Sequence, residues 1–207
     1  MKRLILTALL LLVFSAFAQE KGGSFVFKIN EGLIDFYNHS GITELNYSID
    51  KNSGTFTNLT FGYAKNKTVF GGDLFIADAN IKSSSLEEKA MLYGIGFNVQ
   101  SFYNLNNYFH LGIDASVGLL LQNSNIYLPT VEYKTEDYNT RLGIFCKVGL
   151  QGEYKLTNYL SLLLSDGFLF GTLNEKDLPD ASLNIYKAKR IQPIYSNYFS
   201  IGLKFSF

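Results

Sequence analysis

Seven ionisable residues sit at strand-like spacing among apolar ones: Lys28, Asp73, Asp114, Arg141, Lys147, Glu153 and Lys204. Charges of both signs at buried positions offer one chemistry, mutual neutralisation, because a charge taken out of water needs an opposite charge and hydrogen bonds. Asp73, Asp114 and Glu153 are the candidate partners for the basic members. The other chemistry on offer is nucleophilic. His39 adjoins Ser40, with Asp35 and Glu44 close by, and general-base activation needs an imidazole within about 3 Å of a hydroxyl. No G-x-S-x-G motif accompanies these residues, and a lone loop histidine is usually only a loop residue, so no catalytic residue is assigned. His39 and His110 are too few for a His-rich metal centre. Cys146 is the single cysteine, so neither a disulfide nor a cysteine metal site forms within the chain, and no metal or cofactor is expected. A formal net charge of zero leaves no nucleic-acid footprint.

The elements that carry these residues read as strands. Alternation of apolar and polar side chains recurs over residues 24–33, 54–65, 68–81, 90–103, 108–122, 138–155, 158–171 and 196–207. Most of these segments are about ten residues or longer, against a usual strand of about five or six. A tilted strand of about nine to eleven residues crosses a bilayer core. Charged residues make up only 17% of the chain, while Tyr, Phe and Gly are abundant. Beyond the first residues no apolar stretch approaches the length of a membrane helix, so any membrane crossing is made by strands.

The connections sort into two kinds. Three are tight: residues 65–68, 104–107 and 155–158. Four are longer, near 34–53, 82–89, 123–137 and 172–195, and the two kinds alternate strictly. That is the pattern of an up-and-down barrel with short turns at one rim and long loops at the other. Two tight turns echo each other: Tyr103 to Tyr108 reads YNLNNY, and Tyr154 to Tyr159 reads YKLTNY.

The segment 108–122 separates its faces most cleanly. Phe109, Leu111, Ile113, Ala115, Val117, Leu119 and Leu121 alternate with His110, Gly112, Asp114, Ser116, Gly118, Leu120 and Gln122. The polar faces hold Gly, Ser, Asn and Gln rather than the abundant Lys and Glu of a water-facing surface. Small residues suit the cramped lumen of an eight-stranded barrel. The apolar faces therefore point to lipid, and the seven charges form a polar plug inside. Aromatics are expected to girdle both rims: Tyr63, Phe70, Tyr103, Phe109, Tyr154, Tyr159, Phe205 and Phe207 at the short-turn rim, and Phe36, Phe56, Tyr138, Phe168 and Tyr195 at the other. Asp166 follows the lipid phase of Leu160, Leu162 and Leu164, which predicts a bulge or a rim position there.

Both ends of the chain fit a secreted membrane protein. Lys2 and Arg3 precede an apolar run from Leu4 to Phe14, and Ala16, Phe17 and Ala18 make a small-residue cleavage box. Residues 1–18 are expected to be a signal peptide cut between Ala18 and Gln19, leaving residues 19–207 as one barrel domain. At the other end Phe199, Ile201, Leu203, Phe205 and Phe207 share one face, with Ser200 and Gly202 on the other. This strand resembles the C-terminal targeting strand of outer-membrane barrels, with Ser200, Gly202, Phe205 and Phe207 as its motif.

Signal, strand count, turn asymmetry and last strand together make the chain similar to the small Gram-negative outer-membrane proteins of the OmpA-transmembrane-domain, OmpX and OmpW group, the "porin family" barrel domain. The resemblance implies an all-β, eight-stranded antiparallel up-and-down transmembrane barrel in the outer membrane, with both termini periplasmic. It implies contact with outer-membrane lipid and lipopolysaccharide, and handling by the barrel-insertion machinery. Lys187, Lys189 and Arg190 could meet lipopolysaccharide phosphates, though a solvated charge run is the plainer reading. A structural or surface-interaction role is expected, with no wide pore. A narrow channel for small or hydrophobic solutes is the alternative, and a lipid A-modifying enzyme built on His39 and Ser40 a more distant one.

Overall fold

The computed structural model describes residues 23–36, 51–83, 86–128, 133–134, 139–174 and 191–207. The strands are β1 (Ser24–Phe36), β2 (Lys51–Lys65), β3 (Thr68–Ser83), β4 (Leu86–Asn104), β5 (Phe109–Leu128), β6 (Tyr133–Lys134), β7 (Asn139–Lys155), β8 (Leu160–Asn174) and β9 (Ile191–Ser206). Each pairs antiparallel with the next around the barrel, and β1 pairs with β9 to close it. The result is a closed eight-stranded antiparallel barrel. The short β6 stands outside this count and pairs only with the last residues of β5. At the seam Phe27 faces Phe205, Lys28 faces Lys204 and Asn30 faces Gly202, and closure gives each of the eight barrel strands a partner on both sides. Gly202 is required there, because a Cβ would collide with the Ile29 carbonyl oxygen and the Asn30 side chain.

The short turns show why the two echoing sequences recur. After β4 the Asn106 carboxamide oxygen accepts hydrogen bonds from the backbone N–H groups of Tyr108 and Phe109, both at 2.8 Å. After β7 the Thr157 hydroxyl oxygen accepts from Tyr159 and Leu160 at 3.1 and 3.0 Å. Asn and Thr occupy the same place because each side chain reaches two backbone donors that no strand partner satisfies. The remaining turn has Asn66 at φ 58°, a conformation Asn tolerates better than most residues.

At the opposite rim the strands run further than their alternation predicts. β3 ends at Ser83 and β4 starts at Leu86, and the pairing of Lys82 with Glu87 and of Ser83 with Leu86 carries the ladder through most of the expected loop over 82–89. β5 continues to Leu128, past the expected end at Gln122. Once a strand leaves the apolar belt, water meets both faces and the alternation fades, while the backbone ladder continues.

Outward side chains are apolar and exposed. Phe97 is 80% exposed, and Ile95, Val117, Leu119, Ile144, Leu150, Phe199 and Ile201 are exposed beside it or around the wall. A continuous apolar wall of this extent is stable against lipid and unfavourable against water. Among the described residues no helix is long and apolar enough to cross a membrane.

Two expectations need correction. Phe36 and Phe56 do not belong to an outer girdle: both are buried inside the barrel. Phe168 and Tyr195 do face outward, and Tyr138 lies outside the described residues. Asp166 lies neither at a bulge nor at a rim. The ladder runs through it without interruption, Asp166 facing Leu150 on one side and Phe199 on the other, and its side chain is exposed on the outer wall. Glu31 of β1 shares that outward phase and is exposed too. Regular pairing of two strands is worth more than hiding one carboxylate, so the register carries Asp166 outward.

Candidate functional site

The lumen is where the strands bring most of the buried polar side chains of the described residues together, and it is built in two layers. The layer nearer the short turns is polar. Lys147 Nζ lies 2.8 Å from Asp73 Oδ2 and donates to Asn58 Oδ1 at 2.5 Å. Asp73 Oδ1 accepts from Asn58 Nδ2 at 2.7 Å and from Thr60 Oγ1 at 3.0 Å. Lower down, Lys204 Nζ pairs with Glu153 Oε2 at 2.7 Å, and Ser161 donates to Glu153 Oε1 at 2.7 Å. His110 Nδ1 stands 3.8 Å from the same Glu153 oxygen.

Lys28 is held differently. Its ammonium donates to the side-chain oxygens of Gln100 and, at 2.6 Å, Gln151. Gln100 turns its own N–H to Asp114 Oδ2 at 2.7 Å, so one amide links the Lys28 cation to the Asp114 carboxylate. Asn98 adds donors to Asp114 and to Ser116. The rings complete the solvation: Phe102 lies under both Lys28, at 4.8 Å, and Lys204, at 4.6 Å. A ring face attracts a cation, most strongly where water is excluded.

The second layer, nearer the long connections, is apolar. Phe56 stacks on Tyr198 at 4.8 Å, and Phe75 meets Phe145 edge-on at 4.9 Å. Leu92, Leu120, Leu169, Leu173 and Ile194 fill the space around them. The layers meet at Lys147, whose ammonium lies 5.8 Å from the Phe56 ring and 5.9 Å from Tyr198. Arg141 is buried on the luminal side at the height of Gln122, in the upper part of the barrel.

All seven predicted luminal residues are thus buried within the barrel. Asp73 meets Lys147 and Glu153 meets Lys204, whereas Asp114 is approached by amides. The sequence reading missed two things. The amides Asn58, Asn98, Gln100 and Gln151 do much of the bonding, although they share the phase of the charges. The apolar layer was signalled by Leu120 and Phe145, which interrupt otherwise polar faces. His39, Ser40 and Glu44, and the basic residues Lys187, Lys189 and Arg190, lie outside the described residues, while Asp35 is exposed at the end of β1. Of the last-strand motif, Ser200 points inward, and Phe205 and Phe207 point outward. Cys146 is exposed on the outer wall, and the described residues contain no group of three or more metal-ligating side chains.

This architecture is shared with solved structures. Neisserial surface protein A superposes over 88% of this chain and 97% of its own, with a TM-score of 0.51 and 16% identity. The fold is that of the small eight-stranded outer-membrane barrels. Ail, the attachment invasion locus protein of Yersinia pestis, crystallised with the heparin analogue sucrose octasulfate, superposes over 89% of this chain and 99% of its own, with a TM-score of 0.50 and 11% identity. No protein-family model and no curated protein matches the sequence.

Proposed function

We propose that the chain is an integral outer-membrane barrel of a Gram-negative cell, with a structural or surface-interaction role and no solute pore. The observation that carries this reading is the lumen. Its polar half is ion-paired and its other half is packed with Phe56, Phe75, Phe145 and Tyr198. A permeating ion would have to break buried pairs and then cross an apolar layer without water, two barriers in series. Such a barrel presents only its rims, so recognition falls to the connections between strands. Ail, crystallised in complex with a heparin analogue, is a precedent for ligand binding by this fold.

In this reading residues 1–18 are a signal peptide removed between Ala18 and Gln19, and residues 19–207 form the barrel. Both termini and the short turns face the periplasm, and the outer wall meets phospholipid and lipopolysaccharide. Ser200, Gly202, Phe205 and Phe207 serve as the strand engaged by the insertion machinery. The chain is not an enzyme. The decisive experiment is planar-bilayer recording of refolded protein. The expected result is a silent bilayer. Reproducible long-lived conductance steps would establish the narrow channel instead.

A further inference from the structure

The mouth at the short-turn rim opens into a cup of about 290 Å³, floored by Val26, Val69 and Phe102. Its charge is one-sided. Lys67, Lys155 and Lys204 line it, against the single carboxylate of Glu153. Glu153 is already engaged by Lys204 and Ser161. Lys67 rests over the Tyr103 ring at 5.6 Å, and neither it nor Lys155 forms an ion pair among the described residues. Asn66, Asn104 and Asn158, each with a side-chain amide, line the same wall. Ser206 lines the cup but Phe207 does not, and the Phe207 carbonyl oxygen accepts from Phe25 N–H at 3.0 Å.

This bias reaches back to the sequence. The three tight turns, residues 65–68, 104–107 and 155–158, contain Lys65, Lys67 and Lys155 and no Asp or Glu, although the whole chain is neutral. Cations gathered at a narrow mouth above a low-dielectric floor focus a positive potential into it. The donors are ammonium groups and amides, without the planar fork of an arginine. Such a set suits a tetrahedral oxyanion, which point charges can approach from several sides.

We infer that this cup is a binding site for a phosphate group. The group can arrive as a free phosphate or phosphomonoester, or as the headgroup of a phospholipid at the adjoining membrane surface. The cup is the short-turn end of the luminal polar layer, sharing Lys204, Glu153 and Phe102 with it, and a phosphate held at its mouth does not require the barrel to conduct.

The test is an NMR titration of isotope-labelled protein in uncharged maltoside micelles, with inorganic phosphate and glycerol 3-phosphate as probes. Saturable shifts are expected for the backbone amides of Lys67, Asn104 and Lys155, with millimolar affinity that weakens with added salt. The double variant Lys67→Gln/Lys155→Gln should bind about tenfold more weakly, as the loss of two near-surface charges demands. Lys89→Gln, at the other end of the barrel, should bind as the parent does. Glu153→Gln, which removes the only carboxylate of the cup, should bind more tightly. A second arm compares nanodiscs of phosphatidylcholine with and without phosphatidylglycerol. Shifts that follow the lipid and block the soluble probes assign the headgroup, and shifts that follow only the soluble probes assign the free anion. Folding of each variant is read from its unheated electrophoretic mobility. Absence of saturable shifts in both arms, or unchanged affinity in the folded double variant, overturns the inference.

Discussion

Replacing Lys147 with methionine isolates the cost of an unpaired charge in the lumen. Methionine keeps the length and most of the apolar contacts of the lysine stem. What disappears is the ammonium between Asp73 Oδ2, at 2.8 Å, and Asn58 Oδ1, at 2.5 Å. Asp73 Oδ1 keeps its bonds to Asn58 and Thr60, and Ser116 stays as a further hydrogen-bonding neighbour of the carboxylate, but Oδ2 loses the ammonium that faces it. Removing one partner of a buried pair costs about 3–5 kcal/mol. The surviving bonds to Oδ1 put this site at the lower end, about 3 kcal/mol, a large share of a total stability of order 5–15 kcal/mol. The double variant Lys147→Met/Asp73→Asn removes the orphaned charge and should recover at least about 1.5 kcal/mol of that loss, a coupling typical of groups in direct contact. The chain lacks tryptophan, so urea unfolding in lipid vesicles is best followed by tyrosine fluorescence and by the mobility of unheated samples on gels. A single-variant loss below about 1 kcal/mol, or a double variant no more stable than the single, would refute the reasoning, because both outcomes mean that water reaches Asp73.

Asp166→Leu should stabilise the barrel by up to about 2 kcal/mol, since a carboxylate on the lipid wall is unfavourable in a depth-dependent way; an unchanged urea midpoint would mean that Asp166 meets water or a partner. Asn106→Ala leaves two turn N–H groups without their acceptor and should cost about 1–2 kcal/mol in the same assay, with Thr157→Ala behaving alike. Phe207→Ala keeps the terminal backbone bonds to Phe25 and loses only a partly exposed ring, so packing accounts for at most about 1.5–3 kcal/mol. Its outer-membrane level in cells should fall while the refolded protein stays a heat-stable barrel; normal levels in cells would remove Phe207 from the targeting strand. Gly202→Leu should prevent closure of the seam between β1 and β9, seen as loss of the heat-modifiable folded band, because its side chain has no space beside Ile29 and Asn30.

Much of this protein is written in its period-two pattern. Alternation over 108–122 sets which residues of β5 face lipid, and the same phase places Lys28, Lys147 and Glu153 inside before any coordinate is known. Strand count, turn positions and the closing strand follow from that pattern, because side-chain direction in a strand depends only on parity. The echo between Tyr103–Tyr108 and Tyr154–Tyr159 announced the turn chemistry of Asn106 and Thr157. Parity says nothing about height or about which strand lies across the lumen. Those depend on stagger and tilt, which the whole barrel sets at once. Only the closed structure therefore decides that Lys147 meets Asp73, while Lys28 reaches Asp114 through Gln100. For the same reason Phe36 and Phe56, on inward phases near the strand ends, fill an apolar stopper and do not girdle the membrane. Asp166 shows the limit most plainly: a local rule asked the chain to bend there, and the pairing of β8 with β7 and β9 along its length held the strand straight.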